Sequence, residues 1–122
     1  SSMVWDEIDL TSETKSKRRG EAEWRLPRPA TIYGLATWWK VELSAAVGFS
    51  TGPLSPRTHW EQLYFPLLSP IDGAASDLIS VELRSASSEE GGTHLSWTAL
   101  HRNAENKILA RQALDLDKGY LP

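Results

Sequence analysis

A histidine and a tryptophan stand side by side in a proline-stiffened segment, and they are the chain's best candidates for binding chemistry. The segment 48–62 contains His59-Trp60 downstream of Pro53 and Pro56. Each proline fixes its own φ angle and restricts the residue before it, so less entropy is lost when such a loop binds a ligand. The alternative is that the loop tucks Trp60 into the core at the start of the next strand. These residues alone leave both interpretations open.

Other groups that support catalysis or metal binding are scattered. His94 and His101 are seven positions apart, so on one strand they point to opposite faces, and no metal site is predicted. Glu89-Glu90 precedes Gly91-Gly92, where a hairpin tip would leave both carboxylates in water. The chain has no cysteine and no glycine-rich phosphate-binding motif. We therefore predict no complete catalytic set and no cofactor site within it.

The composition is that of an ordinary folded domain. The 122 residues suffice for one core, so 4–122 is predicted to be a single domain, which the patterns described below make a β-barrel or sandwich, and 1–3 a cloning scar. The net charge of −3 predicts no nucleic-acid partner, and acidic neighbours favour a solvated loop at the basic run 15–20. No apolar run approaches the roughly 20 residues of a membrane span, and no signal-peptide pattern is present. We expect no membrane partner and a cytoplasmic protein, or a nuclear one if its source is eukaryotic.

Alternation of apolar and polar residues predicts an all-β fold. The longest alternation covers 35–44, which predicts one continuous strand. Glycines and polar residues at 89–92 and 102–106 predict turns between strands. About seven to ten short strands joined by turns indicate an antiparallel β-barrel or sandwich. The other candidate strands lie at 8–10, 22–26, 63–65, 79–84, 94–99 and 107–114. The apolar residues of 107–114 also fit one face of a helix, and the context of neighbouring strands favours a strand there.

The segment 48–62 resembles the Thr-His-Trp loop of the protein arginine methyltransferases. In that family a Ser-Thr-x-Pro-x-Ser-Pro stretch leads into Thr-His-Trp, then Glu or Lys, then Gln. Here the first stretch is Ser50-Thr51-Gly52-Pro53-Leu54-Ser55-Pro56 and the second is Thr58-His59-Trp60-Glu61-Gln62. Weaker likeness extends over 5–116, with 6–10 resembling the strand that opens the family's barrel, 32–43 the strand before the motif and 95–100 a late strand.

The resemblance implies the C-terminal substrate-binding barrel of such an enzyme, separated from its N-terminal Rossmann-like domain. The intact parent would transfer a methyl group from S-adenosylmethionine to an arginine-containing protein. The resemblance places Thr58, His59 and Trp60 at the active site, with His59 facing an acidic residue of the other domain. Trp60 would line the slot for the guanidinium, which an indole face attracts. The cofactor and the catalytic glutamates would belong to the N-terminal domain, the partner of this chain.

A β-sandwich that binds carbohydrate, or a protein-interaction module without catalysis, is the alternative. Six tryptophans are available to stack on sugar rings. Trp38 and Trp39 are adjacent, however, so on a regular strand they point to opposite faces. They form one platform only if a bulge intervenes.

Overall fold

The fold is all-β, as predicted, in a computed structural model that describes residues 2–12 and 14–122. No helix in this described part is long and apolar enough to cross a membrane. The nine strands of the described residues are β1 Lys17–Arg25, β2 Ala30–Thr37, β3 Lys40–Ser44, β4 Val47–Ser50, β5 Leu63–Gly73, β6 Leu78–Ser88, β7 Gly92–Arg102, β8 Ile108–Asp115 and β9 Gly119–Leu121.

These strands form three sheets. The largest has the order β1-β6-β7-β8-β9, and the others are the pairs β2-β5 and β3-β4. Neighbours in the largest sheet and in β3-β4 are antiparallel. No closed barrel is found among the described strands. Contacts divide the chain into unit 1, residues 2–12, 14–31 and 71–122, and unit 2, residues 32–70.

One face of the five-stranded sheet carries the core of unit 1. The register aligns Ala22 with Val81 and Val81 with Ala99 across three strands. A second row aligns Leu83 with Trp97 on the same face. All five side chains are buried, so each strand places alternate residues in the core and a slip by one residue would expose them.

The opposite face of this sheet is charged. Arg19 of β1 lies directly opposite Arg84 of β6, and both guanidinium groups bond to the Glu82 carboxylate. Arg84 also donates to the hydroxyls of Ser96 at 3.2 Å and Thr98 at 3.1 Å. The prediction of a solvated loop at the basic run is therefore wrong from residue 17 onward. Those residues begin β1, where Arg18 pairs with Asp6 and Arg19 with Glu82.

The predicted strand at 8–10 is also wrong. The Asp9 carboxylate accepts hydrogen bonds from the Thr11 amide and hydroxyl at 2.9 and 2.6 Å. This short-range turn competes with extended structure, and residues 2–9 contain no strand. The N-terminal segment, residues 2–12, is held instead by the ion pair between Asp6 and Arg18. Arg18 also donates to the Glu7 carbonyl at 2.9 Å.

The alternation at 35–44 does not form one strand. β2 ends at Thr37 and β3 begins at Lys40, so Trp38 and Trp39 occupy a break between two strands. Trp39 uses its backbone groups to bond Thr51 rather than to continue a ladder. The sequence alternates through this point, but the chain changes its pairing partner there.

Both predicted turns of the large sheet are confirmed, as is the strand at 107–114. The β6–β7 hairpin turns at 89–91, and Gly92 takes the φ of +70° that glycine tolerates best. The β7–β8 turn has Asn106 at φ +68°. In β8, the partner of His101 is Ala110 and that of Arg102 is Ile108. The residue between Ile108 and Ala110 has no counterpart, which makes a β-bulge.

Candidate functional site

Thr58, His59 and Trp60 lie in unit 2, in the irregular segment between β4 and β5. Trp60 is 53% exposed, so its indole is not tucked into a core. His59 is exposed and makes no hydrogen bond to any residue that the structure describes. The structure therefore places a histidine and a large aromatic ring together on the surface of this unit. Their role at an active site stays a prediction.

Trp60 belongs to an aromatic cluster of three residues, Trp39, Phe49 and Trp60. The Phe49 and Trp60 rings stack with centroids 5.6 Å apart and planes 21° apart. Trp39 meets both rings edge-on, at 5.2 Å from Phe49 and 5.3 Å from Trp60. These geometries are the favourable ones for aromatic pairs. The cluster fixes the plane of the Trp60 indole while leaving half of its surface to solvent.

Thr58 fixes the backbone of Trp60. Its hydroxyl accepts a hydrogen bond from the Trp60 amide at 3.2 Å and donates to the Trp60 carbonyl at 2.9 Å. A threonine at this spacing replaces the backbone bonds that a strand would supply. The side chain that the resemblance places in the motif thus has a local structural task.

The loop that carries the motif is closed at its neck by Thr51 and Gln62. The Gln62 Nε2 donates to the Thr51 carbonyl at 2.5 Å, and Thr51 is 2% exposed. Within the loop, the Ser55 amide donates to the Gly52 carbonyl at 3.0 Å. A Cβ at Gly52 would lie 2.9 Å from the Trp38 Nε1. Glycine therefore allows the Trp38 indole to pack against the loop backbone.

Trp38 and Trp39 have different neighbours. The Trp38 indole lies against Gly52, whereas the Trp39 indole lies against Phe49 and Trp60. Each ring thus contributes to a different packing contact. This arrangement gives no support to a common sugar-stacking platform.

The other two histidines lie on opposite faces of β7, as predicted. His94 Nδ1 is 2.5 Å from Asp117 Oδ2, with both side chains substantially exposed. His101 Nε2 is 2.7 Å from Asp77 Oδ2, with both residues buried. The hydrogen bond from His101, followed by that from the Ala74 amide, holds the pKa of Asp77 below its usual value. Within the described residues, no three His, Asp or Glu side chains are grouped so as to hold a metal ion.

Sequence reasoning missed three members of this site. The alternation predicts that Trp39 lies in a continuous strand, Phe49 is only one residue of the segment 48–62, and Thr51 is only one residue of the family motif. The signal that could have identified the aromatic partners is position in the chain, because Trp39 directly precedes β3 and Phe49 lies in β4, the two strands of a short hairpin. A hairpin brings its two ends together, and the register aligns Lys40 with Ser50.

Comparison with known proteins supports the resemblance carried by this loop. The family model described as the arginine methyltransferase oligomerization subdomain matches residues 2–102. The chain is 29% identical over 109 residues to protein arginine N-methyltransferase 1 of Saccharomyces cerevisiae, which is 84% of this chain and 31% of that protein. It is 30% identical over 67 residues to protein arginine N-methyltransferase 2 of Mus musculus, which is 50% of this chain and 15% of that protein.

A bacterial relative is similar over a shorter stretch. The chain is 29% identical over 52 residues to arginine N(omega)-methyltransferase of Streptomyces achromogenes, which is 43% of this chain and 14% of that protein. The chain thus spans less than a third of the length of the curated relatives it matches. The family model covers most of the chain, and the loop motif lies within the matched region. This chain belongs to the arginine methyltransferase oligomerization subdomain family.

Proposed function

We propose that this chain is the C-terminal substrate-binding domain of an arginine methyltransferase that uses S-adenosylmethionine. The intact parent transfers a methyl group from that donor to a guanidino nitrogen of arginine in a protein. The observation that carries the proposal is the half-exposed Trp60 indole, fixed in its plane by Phe49. It lies in the segment that matches the Thr-His-Trp motif of the family.

A fixed indole suits a guanidinium ion. Both groups are planar, and the electron-rich ring face attracts a nearby cation by about 0.5–2 kcal/mol, depending on desolvation. Phe49 already stacks on Trp60, so the cation approaches the surface of the ring that remains open. In the proposal Trp60 thus orients the guanidinium and supplies no proton transfer.

His59 has a separate role in the proposal. Its side chain is exposed beside Trp60, where it is available to an acidic group of the N-terminal Rossmann-like domain. An imidazole nitrogen that donates to such a carboxylate would hold the two domains in register around the acceptor. S-adenosylmethionine supplies the methyl group and is held by that N-terminal domain in this scheme. We place the enzyme in the cytoplasm, or in the nucleus if its source is eukaryotic.

The acceptor has a second candidate, arginine as a small molecule. Glu42 and Glu61 are the two acidic residues of 32–70, so this unit offers little negative charge to a strongly cationic protein. The Streptomyces relative is named for arginine rather than for protein arginine. A small guanidino compound needs the indole contact but no extended acidic surface.

The experiment is a methyl-transfer assay with the intact parent enzyme and labelled S-adenosylmethionine. An arginine-rich peptide and free arginine are offered separately, with lysine as the control acceptor. Labelling of either arginine acceptor supports the proposal and identifies which candidate is right. Labelling of neither, by an enzyme that binds the donor, would overturn it.

Carbohydrate binding is tested on the same protein with a glycan array. The different neighbours of Trp38 and Trp39 lead us to expect no specific signal. Micromolar binding of one glycan class, abolished by Trp38→Ala, would favour the carbohydrate-binding alternative instead. The control variant Tyr33→Ala changes an exposed aromatic residue outside the aromatic cluster.

A further inference from the structure

The neck of the loop that carries Trp60 is a hydrogen-bonded closure. Thr51 and Gln62 bracket the ten residues 52–61, and the Gln62 amide donates to the Thr51 carbonyl at 2.5 Å. Thr51 is 2% exposed, so water competes poorly for its carbonyl. Trp60 lies only two residues before Gln62. The closure therefore limits where this end of the loop can place the indole.

The same threonine is tied to the backbone of Trp39. The Thr51 amide donates to the Trp39 carbonyl at 2.9 Å. The Thr51 hydroxyl accepts from the Trp39 amide at 3.1 Å and donates to the Trp39 carbonyl at 3.2 Å. Three hydrogen bonds thus join Thr51 to the backbone of Trp39, and neither residue lies in a strand.

Trp39 connects Thr51 to Trp60 by a second route, through its backbone and its indole. Its backbone bonds Thr51, and its indole lies 5.3 Å from the Trp60 indole. Gln62 bonds Thr51 from the other end of the loop. Trp60 is therefore restrained both through the chain and through its ring, and both restraints pass through Thr51.

We propose that Thr51 and Gln62 are positioning residues that form a latch holding the Trp60 indole in the orientation that receives the guanidino acceptor. The part of this inference that concerns the acceptor rests on the proposed function. Neither residue touches the acceptor in this scheme. Without the latch, the loop samples other indole orientations, and the population competent to bind falls. Loss of one such hydrogen bond corresponds to about a fivefold loss in that population.

The test uses the intact enzyme with matched variants. Gln62→Met keeps the length of the side chain but removes the amide donor. Thr51→Val removes the hydroxyl at constant shape, and Thr51→Ser keeps it and should restore wild-type behaviour. Leu54→Ala is the control, because Leu54 lies in the same loop and its side chain is fully exposed.

The first measurement is the exciton-coupled circular dichroism of the Trp39–Trp60 pair, isolated as the difference between each protein and its Trp60→Phe counterpart. We expect Gln62→Met and Thr51→Val to reduce this band, while Leu54→Ala and Thr51→Ser keep it. An unchanged band in Gln62→Met, with the same melting temperature as the wild type, would overturn the latch.

The second measurement separates positioning from general stability. We expect the KM for the acceptor to rise about fivefold in Gln62→Met, with the KM for S-adenosylmethionine unchanged. In a Trp60→Ala background the same substitution should add nothing, because the residue that it positions is gone. Additive effects, or equal changes in both KM values, would contradict the proposal. Absence of any methyl transfer by the wild type would overturn the proposed function and the acceptor part of this inference, while the dichroism band would still decide the latch.

Discussion

The Asp77 carboxylate lies 2.7 Å from the His101 imidazole, and both residues are more than nine-tenths buried. Asp77 also accepts the Ala74 amide at 2.9 Å, in the turn that connects β5 to β6. That turn bonds to the end of β1, because the Leu26 amide donates to the Asp77 carbonyl at 2.8 Å. The buried pair thus stabilises the β5–β6 turn beside the end of β1.

This pair predicts an acid dependence of stability. The pKa of Asp77 lies below its ordinary value of 3.8 in the folded protein, chiefly because His101 bonds its carboxylate. Because its pKa is lowered on folding, the ionised Asp77 carboxylate stabilises the folded protein above about pH 3.8. This stabilisation is lost as the pH falls through the pKa that Asp77 has in the folded protein. Asp77→Asn should therefore lower the free energy of unfolding at neutral pH and flatten its decline below pH 4. Urea unfolding between pH 3 and pH 7 measures both effects.

The matched control is the exposed pair on the other face of β7. His94 and Asp117 have side chains 47% and 60% exposed, and exposed ion pairs contribute only about 0–1 kcal/mol. Asp117→Asn should therefore change the free energy of unfolding at neutral pH by no more than about 1 kcal/mol. Equal effects of Asp77→Asn and Asp117→Asn would show that burial of the first pair is not the cause.

Gly20 should be intolerant of any side chain. A Cβ there would lie 1.5 Å from the Trp5 carbonyl oxygen, so Gly20→Ala must displace the N-terminal segment from β1. Overpacking of this kind costs about 1–3 kcal/mol. We expect faster hydrogen exchange and proteolysis at residues 2–12 together with a lower free energy of unfolding.

Gly91→Ala is the comparison for that substitution. Its Cβ would meet only the ends of the His94 and Ser88 side chains, at 2.9 Å, and these can move. It should leave the exchange of the N-terminal segment at the wild-type rate. Release of that segment by both variants would argue against the backbone contact with Trp5.

Trp60 should matter more to the acceptor than to folding. In the intact enzyme, Trp60→Ala removes an indole–guanidinium contact of about 0.5–2 kcal/mol, so the acceptor KM should rise roughly twofold to thirtyfold. The free energy of unfolding should change less, because the ring is already 53% exposed. Steady-state kinetics and thermal melts of one preparation compare the two. Parallel losses of binding and stability would assign Trp60 a packing role instead.

Trp97 is buried with an unpaired polar group. Its indole Nε1 has no hydrogen-bond partner among the described residues, and the side chain is 1% exposed. An unsatisfied buried donor costs about 1–3 kcal/mol. Trp97→Phe removes this cost and keeps an aromatic ring, so it should destabilise far less than Trp97→Ala, for which about 3–5 kcal/mol is typical. Similar losses in urea unfolding would refute this account.

The chain alone should not bind the methyl donor. In the proposed function the donor belongs to the N-terminal domain, so calorimetric titration of this chain with S-adenosylmethionine should release no binding heat. The intact enzyme is the positive control. Stoichiometric binding by the chain alone would show that our assignment of the donor site is wrong.

Sequence reasoning predicted the large sheet better than the short strands. The β6–β7 hairpin could be predicted because a period of two brackets a glycine pair, and local turn chemistry fixes such a hairpin. The segment 8–10 has the same period, yet Asp9 forms a turn with Thr11. A hydrogen bond from a side chain to a nearby amide leaves no trace in the hydrophobic pattern.

The sequence predicts the motif of the candidate site, but it does not predict the residues that hold Trp60 in place. The resemblance identified Trp60, and the prolines indicated a stiff loop. The roles of Thr51 and Trp39 depend on pairing between residues twelve positions apart in the chain. Alternation assigned Trp39 to a strand, because a pattern of apolar residues does not show where a strand changes partners.

The bulge between Ile108 and Ala110 lies at an edge of the large sheet where β8 has a described neighbour on one side only. Before Ala113, β8 pairs with β7 alone among the described strands, and Ile108 is 57% exposed. A straight, exposed apolar edge would invite another chain to add a strand, which is how aggregates begin. The extra residue shifts the backbone N–H and C=O groups of β8 out of the register that an added strand would need. Arg111 also places a charge on this part of β8. Local irregularity in β8 therefore opposes the addition of another strand at this edge.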